Sequence, residues 1–313
     1  MISVVVPTKG SPDLEDCLRS LSRQTRKPKE IIVVFDSKSD NNIKLAGKYG
    51  ARAVFDTNGT IGGAYDAGAS SARGDIAAFT DDDCVVPENW LEKIEKEFEE
   101  DIDVVSGEDI LPDNSSFFQK AAYQIDKARI MKTAVYGEKA KNRLRAANIA
   151  YRKKVFEKES FNPSLTGLQE PEFHHRLFKK GFRMKFDPAL YVYHKRRNSL
   201  KDIFTQIYRN GKAKIELIKM HKDMISAYDV LTFLYTILFL ISVIYLLKGD
   251  SWFITTTITT TAFYFLSKPL LYIVKTKEFV FYPHMILIVF VREIAYFLGI
   301  MAGLKSIFKR SGG

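Results

Sequence analysis

Three consecutive aspartates, Asp81, Asp82 and Asp83, stand directly after the apolar run of residues 76–80. Three carboxylates this close repel one another unless positive charge is near. A divalent cation is the usual remedy, and hard ions such as Mg²⁺ or Mn²⁺ combine carboxylate oxygens with phosphate oxygens. Taken alone, the triplet reads equally well as a solvated acidic turn capping the next helix; its place at a strand end shifts the balance to metal. A second acidic pair, Glu170 and Glu172, lies in QEPEFHHR, residues 169–176. A hydroxyl is a poor nucleophile until a carboxylate takes its proton, and one carboxylate suffices for direct displacement. The pair also suits an acidic first helical turn with Pro171 early in the helix, and the two readings are compatible. His174 and His175 are adjacent, cannot both face one site on a helix, and read as incidental. Cys17 shares a helical spacing with Leu14, Leu18 and Leu21, and reads as packing, as does Cys84 beside the triplet.

The elements that must hold these groups alternate. Strands are predicted at 2–7, 30–35, 52–55 and 76–80, and helices after Ser11-Pro12-Asp13 (Ser11 as N-cap), over 43–49 and over 60–71. Such alternation argues for a parallel sheet covered on both faces. Ligands bind such sheets at the carboxyl ends of the strands. Pro7-Thr8-Lys9, Asp36 and the Asp triplet all sit there, so three strands deliver polar or acidic groups to one rim. Beyond Pro87 the spacing predicts an amphipathic helix carrying Trp90, Leu91, Ile94 and Phe98, then a strand around 104–105 and a helix over 117–136. A strand at 148–151, helices over 155–159 and 169–180, and a strand at 189–193 follow.

The segments VVVPTKG, Asp36, TDDDC, RAANIAYR (145–152) and QEPEFHHR occur in the order seen in family 2 glycosyltransferases, and over roughly residues 1–215 the chain resembles that family. The resemblance implies an α/β GT-A fold, a nucleotide-diphospho-sugar transferase domain with a mostly parallel central sheet, here followed by transmembrane helices. It implies that Asp81 and Asp83 fill the acidic places of the D-x-D motif. Asp83 then binds the metal that bridges the donor's diphosphate, and Asp81 contacts the ribose side and borders that metal. Asp36 would contact the base, and Pro7, Thr8, Asp82, Arg145 and Asn148 would line the nucleotide-sugar site. Glu170 falls in the place of the family's general-base Asp, one methylene longer, with Glu172 in the second acidic place. His194 resembles a family His that reaches the metal or diphosphate; a plain surface His remains open at this point. The chain departs from the pattern where Gly62-Gly63-Ala64 is followed by Tyr65-Asp66 instead of Arg-Asn. The phosphate contact of that Arg would then fall to Lys9 or Arg145. Gln206 and Arg209 resemble the Q-x-x-R-W motif of processive synthases, but Asn210 replaces Trp, so polymer synthesis is not expected.

Composition adds a membrane. The net charge is +10, from 47 Lys+Arg against 37 Asp+Glu, and nine basic residues against two acids crowd positions 195–222. That stretch runs straight into residues 230–247, eighteen residues with no charge, long enough to span a bilayer core. A basic cluster beside an apolar segment is what anionic leaflets attract. No aromatic-rich RNA-binding motif or zinc-ligand spacing appears, so membrane is the expected partner and nucleic acid is not. Residues 252–274, interrupted by Lys268-Pro269, and 279–304, containing Arg292-Glu293, are further apolar stretches. The expected division is a GT-A domain over 1–228 (195–228 its basic juxtamembrane part), a membrane segment over 229–304 and a basic tail over 305–313. Positive-inside logic assigns 195–222, 275–277 and 305–310 all to the cytoplasm, which three crossings cannot satisfy. With two cysteines, and no basic leader before the strand-length run at 2–7, a cytoplasmic catalytic domain on a multi-pass anchor is expected.

The expectation is thus an inverting glycosyltransferase using Mg²⁺ or Mn²⁺ and a nucleotide-sugar donor. Its acceptor is lipid-linked, with a glycan hydroxyl favoured over polyprenyl phosphate. A sugar nucleotidyltransferase and a non-catalytic membrane scaffold stand as alternatives. The first lacks a strong phosphate-cradling Gly-rich loop; the intact Asp triplet and Glu170 speak against the second.

Overall fold

The computed structural model describes residues 1–36, 40–128, 133–247 and 251–310; many side chains between 228 and 263, and those of 307–310, are outside the description. In chain order the elements are β1 (Ile2–Thr8), α1 (Leu14–Ser22), β2 (Glu30–Phe35), α2 (Asp40–Lys48), β3 (Arg52–Phe55), α3 (Ile61–Ser71), β4 (Ile76–Phe79) and β5 (Cys84–Val85). Then come α4 (Trp90–Glu97), β6 (Val104–Ile110), α5 (Phe117–Lys127), β7 (Val135–Tyr136), α6 (Gly137–Lys141), β8 (Ile149–Arg152), α7 (Lys153–Phe156), α8 (Gln169–Lys179) and β9 (Met184–His194). Four helices close the chain: α9 (Leu200–Met220), α10 (Ala227–Leu247), α11 (Ser251–Thr276) and α12 (Tyr282–Arg310).

Contacts divide the chain into two compact units: Met1–Asn114 with Ile130–Lys195, and Ser115–Arg129 with Arg196–Gly313. Residues 196–228, joined on sequence to the catalytic domain, therefore lie in the second unit.

The first unit is built on one sheet of order β3-β2-β1-β4-β8-β6-β9-β5, with β7 also on β9. The β3-β2-β1-β4 half is parallel throughout, β8 runs antiparallel to both its neighbours, and β9 is parallel to β6. Successive β1 side chains point to opposite faces. Val4 and Val6 join Leu14, Leu18, Leu21, Trp90 and Leu91 in one core, whereas Val5 joins Tyr65, Phe79, Phe161 and Phe173 in the other. Burial on both faces explains why the strands read as continuous apolar runs.

Several boundaries differ from expectation. Ser11 does not cap α1: Asp13 is its N-cap, and Ser11 instead closes the preceding turn, its Oγ accepting from the Asp13 N–H at 3.1 Å. The helix expected over 117–136 ends at Lys127, and Val135-Tyr136 pairs with β9; residues 129–132 lie outside the description. β9 begins five residues earlier than the spacing suggests, because it pairs with β6 through an irregularity between Ser106 and Glu108. Gly107 permits that approach: a Cβ there would stand 1.5 Å from the Leu190 carbonyl oxygen.

In the second unit, one helix among the described residues, Phe279–Ser306, is long and apolar enough to cross a membrane. The stretches expected to span at 230–247 and 252–274 fall in α10 and α11, where many side chains lie outside the description. Some charges within the apolar helices meet partners on neighbouring helices: Lys268 of α11 bonds Glu293 of α12, and Lys214 of α9 stands 3.0 Å from Asp229 of α10.

Candidate active site

Thr80 fixes the exit of β4. Its N–H donates to Val5 O at 3.1 Å and its hydroxyl to Ala147 O at 2.9 Å, tying the strand end to β1 and to the turn before β8. The triplet then turns back, with the Cys84 N–H on Asp81 O at 3.1 Å, into the two-residue β5. β5 lies antiparallel to the last residues of β9, which sets Cys84 opposite His194. A pairing this short leaves no periodicity to read in sequence, yet it delivers His194 to the Asp triplet.

His194 Nε2 is 3.1 Å from Asp83 Oδ1 and 4.0 Å from Asp81 Oδ2, while its Nδ1 is 3.1 Å from Asp109 Oδ2. With Nδ1–H donated to Asp109, the Nε2 lone pair faces two carboxylates. A cation among the three makes that arrangement favourable, and a carboxylate behind the ring is the usual support of a metal-bound His. The Asp83, Cys84 and His194 ligand atoms all lie within 4.8 Å of one another. Burial and the neighbouring aspartates push the Cys84 thiol well up, so it stays protonated and packs. Asp83, His194 and Asp81 thus offer the oxygen and imidazole donors that a hard divalent ion takes.

Glu170 stands in the first turn of α8, entered through Leu168 in the left-handed region at φ 57°. Burial, then the charge of Asp81, pushes its carboxyl up to about 8; a hydrogen bond with Tyr65 and the charge of Arg145 pull the other way. Asp81 is itself raised to about 6 by burial, partly offset by His194. The Tyr65 hydroxyl donates to Asp81 Oδ1 at 3.3 Å. One phenol therefore serves both carboxylates, from a ring stacked on Phe79 with centroids 5.3 Å apart.

The remaining sequence candidates divide. Thr8 Oγ1 donates to Asp82 Oδ2 at 2.5 Å and accepts from the Gly10 N–H at 2.9 Å. Backbone N–H groups of Ser11 and Lys9 also reach Asp82, which burial nonetheless raises. Thr8 and Asp82 thus fasten the loop after β1, with Pro7 at the strand end beneath them. Lys9 Nζ is 3.8 Å from Asp36 Oδ2, and Arg145 Nε is 3.8 Å from Asp109 Oδ1, so both cationic candidates border acids of this rim. Asn148 requires correction as a donor contact. It is fully buried; its Oδ1 accepts from Trp90 Nε1 at 2.9 Å, and its Nδ2 donates to Glu108 O at 3.0 Å and Leu190 O at 2.9 Å. Engaged at both ends, the amide binds the sheet together, and it exposes no atom to a ligand. Glu172, too, is a structural acid, gripping Arg176 through Nε at 2.7 Å and Nη2 at 3.0 Å. His174 is a core His, kept neutral by burial, which lowers it to about 3, and bonded to the Tyr151 hydroxyl at 2.7 Å.

Two residues of the rim were missed on sequence, Asp109 and Tyr65. Asp109 lies near the carboxyl end of β6, the same signal that exposed Asp36. Tyr65 was visible only as a departure from a pattern.

Residues 3–160 match the family described as Glycosyl transferase family 2. The relative named Uncharacterized glycosyltransferase EpsJ, from Bacillus subtilis (strain 168), is 27% identical over 219 residues, 65% of this chain and 63% of its own. This chain therefore matches somewhat less than two thirds of that relative's length. Among solved structures, the mannosyltransferase PcManGT from Pyrobaculum calidifontis, in complex with GDP-Man and Mn2+, superposes with a TM-score of 0.60 at 13% identity, over 97% of this chain and 86% of that one. S. aureus TarS in complex with UDP-GlcNAc gives 0.54 at 16% identity, over 97% and 92%. The shared fold is GT-A.

Proposed function

The chain belongs to glycosyl transferase family 2, and from that premise we propose an inverting, metal-dependent transferase that moves a sugar from a nucleotide-diphosphate sugar to a lipid-linked acceptor. The observation that carries this reading is Glu170, a carboxylate raised to about 8 beside the Asp81–Asp83 rim. A general base works best with a proton affinity near the working pH.

Donor diphosphate is an anion and the rim is acidic. Bound there, Mg²⁺ or Mn²⁺ supplies the charge neutralisation that a diphosphate leaving group needs. Asp83 and His194 would hold the ion, with Asp81 beside it, and Asp109 would fix the His194 ring. The GDP-Man and Mn2+ held by PcManGT and the UDP-GlcNAc held by TarS support a nucleotide-sugar donor and a divalent ion. Asp36 would meet the base beside the Thr8–Asp82 loop, and Lys9 and Arg145 supply the positive side chains for phosphate. Glu170 takes the proton of the attacking hydroxyl. It gives up its own proton more readily whenever Asp81's charge is neutralised, because that charge is part of what raises it.

The acceptor follows from the need for a base. A lipid phosphate is already ionised near neutral pH, its second pKa being about 6, and needs no carboxylate to activate it. A hydroxyl does, so Glu170 favours a hydroxyl of a lipid-linked glycan. The catalytic unit faces the cytoplasm on a multi-pass anchor that keeps it near such acceptors.

Full-length protein with Mn²⁺ and a panel of nucleotide sugars tests this. One donor should be consumed, faster when lipid-linked glycans are added, and not at all in excess chelator. Turnover persisting in chelator, or faster with bare polyprenyl phosphate than with glycolipid, would contradict it.

A further inference from the structure

The helix most able to span a membrane by length and composition is tied along much of its length to a charged one. α9 and α12 run parallel and touch through glycines. A Cβ on Gly211 would lie 2.3 Å from Tyr296 O, one on Gly299 2.2 Å from Tyr208 O, and one on Gly303 2.9 Å from Lys212 O. Contact thus advances from 208 to 212 as it advances from 299 to 303. Nearer the start of α12, Ile203 of α9 shares an apolar cluster with Met285, Ile288 and Val289, together with Ala121 and Ile125 of α5. α9 carries five bases and two acids in its 21 residues. Were α12 to cross the bilayer, α9 would be drawn to hydrocarbon depth with Arg209 and Lys212 at mid-contact, and ionised side chains there are costly.

The opposite face of α12 is different. Leu287, Phe290, Ile294, Leu298 and Met301 are all exposed, at spacings of three and four residues that form one stripe. An apolar stripe on one side and a basic partner helix on the other are the marks of an assembly lying in the membrane interface.

We propose that α12 lies in the plane of the interface of an anionic bilayer, its stripe towards the acyl chains and α9 on the headgroup side, with both ends of α12 on one membrane face. The exposed Lys201, Lys212 and Lys219 of α9 supply the charge that such headgroups attract. At 29 residues α12 is about 43 Å long, well beyond the ~30 Å of a hydrocarbon core. The arrangement also resolves the conflict between three apolar stretches and three basic segments. α10 and α11 form a two-crossing hairpin, and 195–222, 275–277 and 305–310 then share a face. This inference rests on the membrane attachment proposed above and is independent of the reaction.

The test is side-specific labelling of the full-length protein in right-side-out and inverted membrane vesicles. Thr276→Cys and Ser311→Cys are each exposed to an impermeant maleimide, with wild type, whose Cys17 and Cys84 are buried, as background. Should either variant fail to insert, Lys275→Cys and Lys305→Cys carry the same comparison. Labelling of both positions from the same vesicle orientation supports the in-plane helix. Labelling from opposite orientations overturns it and leaves the transferase reading standing, whereas loss of activity alone would leave this topology standing.

Discussion

In the second unit, acids in the apolar helices or in the turn between them have bases against them: Glu293 has Lys268, Asp229 has Lys214, and Glu278, between α11 and α12, has Lys127. At the rim of the first unit acids meet acids. Asp81, Asp82 and Asp83 are consecutive, Asp109 stands behind His194, and the Asp81 charge raises Glu170. Each second-unit pair settles its charge locally and holds helices together. The rim crowds acids where ligands reach the strand ends: burial raises the proton affinities of Asp81, Asp82 and Glu170, and the neighbouring carboxylates add to the rise. Buried charge is therefore no guide to chemistry by itself; unbalanced charge is.

The comparison breaks most visibly at Asp83. Asp83→Asn removes a carboxylate that faces His194 Nε2 at 3.1 Å, and should abolish Mn²⁺-dependent nucleotide-sugar binding in calorimetric titration while the melting curve stays two-state. Retention of that binding would mean that the rim does not need its acids for a cation. Asp109→Asn reaches the same centre indirectly. Loss of the carboxylate behind a ligating His typically costs about 10–100-fold in metal affinity, readable by Mn²⁺ paramagnetic resonance without substrate.

Tyr65→Phe should have a smaller effect, since the ring keeps its place on Phe79 and only one hydroxyl is lost. A hydrogen bond to a charged group contributes about 1.5–3 kcal/mol, so turnover should fall at least about tenfold with Mn²⁺ affinity unchanged. An unchanged rate would show that the phenol only fills space. Asn148→Ala sharpens the contrast from the structural side. It leaves Trp90 Nε1 and two carbonyls without their partner, at about 1–3 kcal/mol for each unsatisfied buried group, and should lower the melting temperature with donor KM unaltered. A raised donor KM in a protein of normal stability would restore Asn148 to the site.

Sequence displayed the parallel half of the sheet because β1, β2, β3 and β4 are short apolar runs whose ends carry Thr8, Asp36 and the Asp triplet. Glu170 was legible through an acidic first turn and a motif resemblance. His194 was ambiguous, because what decides it is a two-residue pairing between β5 and β9 across more than a hundred positions. Asn148 misled for the same reason: the carbonyls of Glu108 and Leu190 that engage it are distant in the chain, and a polar residue beside a strand looks like a ligand until its partners are known. Tyr65 replaces an Arg of the family pattern, and no local periodicity reveals that its hydroxyl reaches both Asp81 and Glu170.

Glu170 also makes a claim about stability. Its folded value of about 8 lies above the ordinary 4.5, so between those pH values the native state holds a proton that the unfolded chain has released. Its contribution is fully present below about pH 4.5 and lost as pH rises through about 8. Glu170→Gln removes that slope, and the variant should gain thermal stability relative to wild type as pH rises through the window.

The most direct measurement of the central claim is transfer to a lipid-linked glycan by Glu170→Gln beside wild type, with donor affinity measured on the same preparations. General-base assistance is typically worth about 10²–10⁴-fold, and turnover should fall by that order while Mn²⁺-dependent donor affinity stays unchanged. Turnover near wild type, with glycolipid or with polyprenyl phosphate, would contradict the assignment of Glu170 as the base that activates a hydroxyl.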